Sequence, residues 1–207
     1  MTKTEARPFR LVAFSGNPQR PSRSRALAAT IARSIQRQVP VTIEQYDVLD
    51  AGPGLGTALL REQLTPTALA IVEAIETADI LVVTTPVYKG SYTGLFKHLV
   101  DFVDMNALIG RPVVIGATGG GQRHALMVEH QLRPLFGFFS ALTVPTAIYA
   151  DDTTFEAYEQ VDPGILARIE LAATQAALIL QHREPQVIEQ KQQPRVSGNV
   201  ISISAQA

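Results

Sequence analysis

Short apolar runs alternate with helix-period segments along nearly the whole chain, and no other feature constrains the fold as much. The runs are Leu11-Val12-Ala13-Phe14, Val41 to Tyr46, Ile80 to Thr85, Pro112 to Ala117 and Leu142 to Ala150. Helical patterns fill the gaps: about Ser24 to Gln38, Thr65 to Ala78, Thr93 to Asp104, Arg123 to Ser140 with an interruption near Pro134, and Pro163 to Arg183. Strands separated by helices of this length cannot pair as hairpins, so the pattern predicts a parallel sheet with helices on both faces. Ile80 to Val83 is apolar at every position, as a strand buried on both faces must be. The fifth run is expected as one strand despite Pro145. From Pro185 the chain turns Gln-rich and then Ser/Ile-rich, which divides it into a domain over 1–184 and a C-terminal tail or oligomerisation arm over 185–207.

Composition narrows the chemistry. With 207 residues and 46% hydrophobic content the chain can bury one sizeable core. Its 18 basic and 19 acidic residues nearly cancel, so neither nucleic acid nor an anionic membrane surface is an expected partner. The start, MTKTEARPF, has no apolar targeting region and no run of about 18 apolar residues occurs, so a cytoplasmic location is expected. There is no cysteine, which excludes disulfides, thiolate catalysis and Cys-ligated metals. The four histidines, His98, His124, His130 and His182, have no metal-binding spacing. No metal site is expected, and redox chemistry would have to come from an organic cofactor.

The segment RLVAFSGNPQRPSRS, residues 10–24, points to that cofactor. A buried strand breaks at Ser15-Gly16-Asn17-Pro18 into a turn, and Ser22 and Ser24 are both candidate caps for the helix pattern Ala26, Leu27, Ile31, Ile35. Free N–H groups and hydroxyls at a helix start, with Arg20 and Arg23 nearby, suit a phosphate; a merely well-capped turn is the plainer reading. The loop matches neither the G-x-x-x-x-G-K-[ST] triphosphate pattern nor the dinucleotide pattern G-x-G-x-x-G, so a monophosphate is expected. Ligands of such sheets sit beyond the carboxyl ends of the strands. There the serine loop would meet Thr85-Pro86-Val87-Tyr88-Lys89-Gly90-Ser91-Tyr92-Thr93-Gly94 and Thr118-Gly119-Gly120-Gly121, whose Pro, Gly and aromatic groups suit a flat heterocycle. A monophosphate joined to a planar ring describes FMN.

The segments SGNPQRPSRS, TPVYKGSYTGLFKHLVD and ATGG, in this order, resemble the NAD(P)H-dependent FMN reductase family, most nearly the flavin reductases of two-component alkanesulfonate and methanesulfonate monooxygenases. The likeness spans about Arg10 to His182. It implies a flavodoxin-like fold, with a five-stranded parallel sheet in the order 2-1-3-4-5. It also implies NADH or NADPH as co-substrate, with reduced FMN handed to a separate flavin-dependent monooxygenase. By this resemblance Ser15, Ser22 and Ser24 hold the phosphate, Pro86, Val87, Tyr88, Tyr92, Thr93 and Gly94 wrap the ring, and Thr118, Gly119 and Gly120 approach it from the next loop. The family has Arg directly after the loop proline, where this chain has Gln19 and then Arg20, so which arginine meets the phosphate stays open. Hydride transfer between stacked rings needs position rather than an acid–base pair, so no catalytic side chain is nominated. An FMN-retaining quinone or azo-dye reductase is the alternative enzyme, and a flavodoxin-type electron carrier the alternative non-enzyme.

Other residues have plainer readings. Lys97 reads as a solvated or ion-paired group and His98 as exposed, while Asp151-Asp152 reads as a turn and cap. His124 is a candidate for lining the site. Phe136, Phe138 and Phe139 predict a subunit contact in a homodimer or homotetramer. Members of the resembled group carry one extra residue in the fourth helix, which turns an α-turn into a π-bulge. Here that residue is His130. Either it loosens FMN from a subunit contact beside the site, or it is an ordinary helical histidine.

Overall fold

The computed structural model describes residues 7–183; the arm expected over 185–207 lies outside the described residues. Strand β1 (Phe9–Ser15) pairs in parallel with β2 (Val41–Asp47) on one side and β3 (Ile80–Pro86) on the other. Strand β3 pairs with β4 (Pro112–Gly119), which continues to two short strands, β5 (Leu142–Thr143) and β6 (Ile148–Asp151). All of these pairings are parallel, and the order 2-1-3-4-5 is the flavodoxin-like doubly wound arrangement.

The expected single strand over 142–150 is two. Pro145 lies in the gap, where it has no N–H to give the ladder. Arg133 reaches into the break instead, donating to the carbonyls of Val144 (3.0 Å) and Pro145 (3.2 Å) and to the Thr143 hydroxyl (2.9 Å). A short antiparallel hairpin, β7 (Phe155–Glu156) and β8 (Glu159–Gln160), follows β6.

Among the described residues five α-helices cover the sheet: α1 (Arg23–Gln36), α2 (Pro66–Thr77), α3 (Gly94–Val100), α4 (Arg133–Phe138) and α5 (Pro163–Gln181). Alternation along each strand assigns the faces. Leu11, Ala13, Val82 and Val114 bury against α1 and α5; Val12, Phe14, Leu81, Val83 and Ile115 bury against α2, α3 and α4. By length and composition α5 would pass for a membrane span, but Ile169, Ala172, Ala173, Ala176 and Leu180 line its buried face and pack in the core with α1 residues.

The third helix is shorter than its pattern, because the chain turns after Asp101. The fourth helical pattern resolves into a 3₁₀ turn (Gln122–His124), a π-turn (Val128–Leu132) and α4. Its interruption, expected near Pro134, is the π-turn, which ends two residues before that proline. The aromatic cluster is also not the exposed contact its sequence suggests. Phe136 and Phe139 are buried in this chain's own core, at 2% and 4% exposure, and Phe138 alone of the three is exposed.

Candidate functional site

Polar stitches bring three strand ends together. The Gly16 N–H donates to Thr84 O (2.8 Å), and Thr93 Oγ donates to Gly16 O (2.7 Å) while its hydroxyl also caps α3. Ser24 and Thr118 share a 2.7 Å hydroxyl hydrogen bond, and Thr84 Oγ donates to Ser24 O (2.8 Å). The first turn of α1 is thereby fastened to β3 and β4. Gly16 has to be glycine, since a Cβ would stand 2.7 Å from Phe96 Cβ and 2.9 Å from Thr85 Oγ1. Gly119 is similar: a Cβ there would meet the Tyr149 hydroxyl at 2.6 Å, and that hydroxyl is committed to Gly121 O.

Between these loops lies an open cavity of about 240 Å³. Its walls contain Ser22, Ser24 and Arg23 from the start of α1, Pro86, Val87 and Tyr88 after β3, and Thr118, Gly119 and Gly120 at the end of β4. Eight of the thirteen sequence-derived site residues are therefore brought together. Ser22 is the N-cap, accepting from the Arg25 N–H at 3.3 Å, whereas Ser24 is buried inside the first turn. The remaining five are not part of this wall. Ser15 is fully buried, Tyr92 packs on Phe96 at 5.6 Å, Thr93 and Gly94 start α3, and Arg20 faces elsewhere.

Arg20 is held by carboxylates. Its Nε and Nη2 reach Asp47 at 2.7 and 2.8 Å, and Nη2 reaches Asp50 at 2.6 Å. Burial pushes the Asp47 carboxyl upward, but hydrogen bonds from Arg20 and Asn17 and the Arg25 charge outweigh it, so its pKa lies below the usual value. The hydrogen bonds that Arg20 donates to Asp47 and Asp50 raise its own pKa. The arginine on the cavity wall is Arg23.

Polar atoms left over suit a phosphate ester. Among the described residues, the buried side-chain atoms without a hydrogen-bond partner include Ser15 Oγ, Arg23 Nε and Asn17 Oδ1. Two of these can donate, as an anion requires, and the third can accept from a sugar-like hydroxyl. The N–H groups at the start of α1 and its dipole favour negative charge at the same place.

Sequence reasoning missed Asn17, Pro21, Asp152 and Tyr158 as parts of the wall. The rule that loops after parallel strands converge would have found Asp152, which directly follows β6. Asp151 is a cap as expected: the Thr153 hydroxyl, Gln122 (2.6 Å) and the Thr153 N–H (3.0 Å) all donate to it, and these bonds, the hydroxyl's above all, lower its pKa. Lys97 pairs with Asp101, as its plainer reading has it. His124 does not line the cavity, and His98 is half-buried rather than exposed, with Nε2 bonded to Leu55 O at 2.9 Å.

The π-turn holds His130 on its exposed side, and the Arg133 N–H bonds back five residues to Val128 O. It also touches the ring loop, because Ser91 Oγ lies 3.2 Å from Gln131 Oε1.

The profile of the NADPH-dependent FMN reductase family matches residues 9–156. The chain is 45% identical over 170 residues to an FMN reductase (NADPH) of Pseudomonas aeruginosa, covering 82% of this chain and 91% of that one. It is 45% identical over 172 residues to the NADH-dependent FMN reductase SfnF of Pseudomonas fluorescens, covering 83% and 92%. An oxidoreductase structure from Corynebacterium diphtheriae superposes with a TM-score of 0.78 at 32% identity, over 86% of this chain and 100% of that one. The family profile over residues 9–156, with relatives 45% identical across more than four-fifths of the chain, places the chain in the NADPH-dependent FMN reductase family.

Proposed function

We propose that the protein reduces FMN as a passing substrate and releases it to a separate flavin-dependent monooxygenase of sulfonate metabolism. The reaction itself is the family's: an oxidoreduction in which NADH or NADPH reduces FMN. What supports release to a partner is the motif resemblance together with the 45% identity to the reductase named SfnF. The observation that carries the site is the meeting of Ser22, Arg23 and Ser24 with Tyr88, Gly119 and Gly120 around one cavity.

In this reading Ser22, Ser24 and Arg23 bind the phosphate at the start of α1, with Ser15 behind them. Pro86, Val87, Tyr88, Thr118, Gly119 and Gly120 bound the ring, while Tyr92, Thr93 and Gly94 hold the ring loop against β1 and α3. The ring, when bound, supplies the two-electron acceptor. These residues would hold and orient it for a nicotinamide, and no protein acid or base is required. Following NADH and NADPH oxidation with and without added FMN tests the reaction: turnover should depend on FMN, and no turnover with either nucleotide overturns it.

His130 is proposed as an element of flavin exchange in a homodimer or homotetramer. Its support is the π-turn at the expected place and the Ser91–Gln131 contact, which joins that turn to the ring loop. Deleting His130 should regularise the helix and yield protein that keeps FMN through gel filtration but reduces free FMN poorly. A deletion variant that stays folded, colourless and as active as the parent rules this role out. A 22.4 kDa species by light scattering at micromolar concentration would exclude the oligomer.

A further inference from the structure

We infer that Asp152 is a built-in competitor for the flavin phosphate, and that by holding Arg23 it keeps FMN affinity low enough for the flavin to leave after reduction. The inference rests on the reading that the phosphate binds at the start of α1. Arg23 Nη1 and Asp152 Oδ1 stand 3.0 Å apart, and both residues line the cavity. The neighbouring guanidiniums are already used: Arg20 holds Asp47 and Asp50, and Arg25 reaches Asp47 at 3.0 Å. Arg23 is thus the cation of this loop that faces the cavity, and its buried Nε has no partner. A phosphate arriving there would share this one guanidinium with a carboxylate.

The backbone keeps that carboxylate in place. Asp151 caps the 3₁₀ turn Asp152–Thr154, and Thr154 Oγ donates to Asp151 O at 2.7 Å. A Cβ on Gly120 would lie 3.9 Å from Asp152 Oδ2, so the carboxylate stands beside the glycine loop as well as beside Arg23. Like charges at such range repel, and the repulsion acts only on the phosphorylated flavin. Asp152 is half-exposed, so its side chain can swing to water when the phosphate binds, and return when the flavin leaves.

The test is flavin binding by the full chain, read from quenching of flavin fluorescence, for FMN and riboflavin in parallel. At about 50 mM salt Asp152→Asn should tighten FMN by about threefold to tenfold and leave riboflavin unchanged, and the gain should shrink at about 500 mM salt. Asp152→Ala should move FMN in the same direction. Unchanged or weakened FMN binding in both variants overturns the inference; weakening would mean that Asp152 aims Arg23 at the phosphate. Arg23→Ala separates this from failure of the site. If it weakens FMN tenfold and spares riboflavin, the phosphate reading stands whatever Asp152 does. Equal losses for both flavins remove the phosphate reading and the inference with it.

Discussion

Arg20, in the loop before α1, and Arg23, the first residue of α1, stand three residues apart, yet the carboxylates they meet differ in kind. Arg20 is fastened to Asp47, whose side chain is fully buried, while Arg23 meets Asp152, whose side chain is 54% exposed. Asp47 also accepts from Asn17 and from the N–H groups of Leu49 (3.0 Å) and Asp50 (3.3 Å), so it ties the loop before α1 to the end of β2. Asp152 ties nothing structural down. A buried carboxylate with many donors builds the loop, whereas an exposed one with a single ionic partner is free to tune what the loop binds.

The strongest way to break the comparison is Asp47→Ala. Removing a buried acceptor takes away the partner that Arg20, Arg25 and Asn17 share, although Asp50 still meets both arginines, and the loss should be about 2–4 kcal/mol in urea denaturation. A loss under about 0.5 kcal/mol would show that the loop is held by something else. The same carboxyl sets a pH dependence. Its folded pKa is lowered from an unfolded value of about 3.9, so its contribution is complete above that value and disappears as pH falls through the folded pKa. Glu44 and Glu129 are lowered by their arginines in the same sense. Acid unfolding of the parent should therefore set in below about pH 4 and be shallower in Asp47→Asn.

Ser22→Ala comes next in size. It should weaken FMN by about 1–3 kcal/mol while barely affecting riboflavin, because the hydroxyl and helix start act on the charged group. Equal losses for both flavins would mean that the loop shapes the cavity without reading phosphate. The smallest effect is the sharpest contrast. Asp152→Ala should change stability by no more than about 0.5 kcal/mol, since its pair with Arg23 is solvent-screened. A destabilisation approaching that of Asp47→Ala would erase the distinction between the two carboxylates.

Much of this architecture was legible from local pattern. The all-apolar Ile80 to Val83, the serine-rich turn after Phe14 and the Ser22 cap are short-range signals, and each appears where periodicity and turn chemistry put it. The π-turn at Val128–Leu132 was legible only through family resemblance, because one extra residue in a helix has no composition of its own. Phe136 and Phe139 misled because a run of aromatics looks the same whether it faces its own core or a partner; their burial follows from how α4 sits on the sheet.

The sequence by itself determined a doubly wound parallel sheet, a serine-capped start for α1 and a glycine- and tyrosine-containing loop after β3, all consequences of period, capping and turn residues within short stretches. The tertiary structure alone decided which arginine lines the cavity. The strand order sets β2 on one side of β1 and β3, β4 and β6 on the other. Arg20 therefore meets Asp47 at the end of β2, and Arg23 meets Asp152 just beyond β6, a partner 129 positions away. No local pattern encodes such a pairing, because charge partners are chosen by which strand ends the sheet brings side by side.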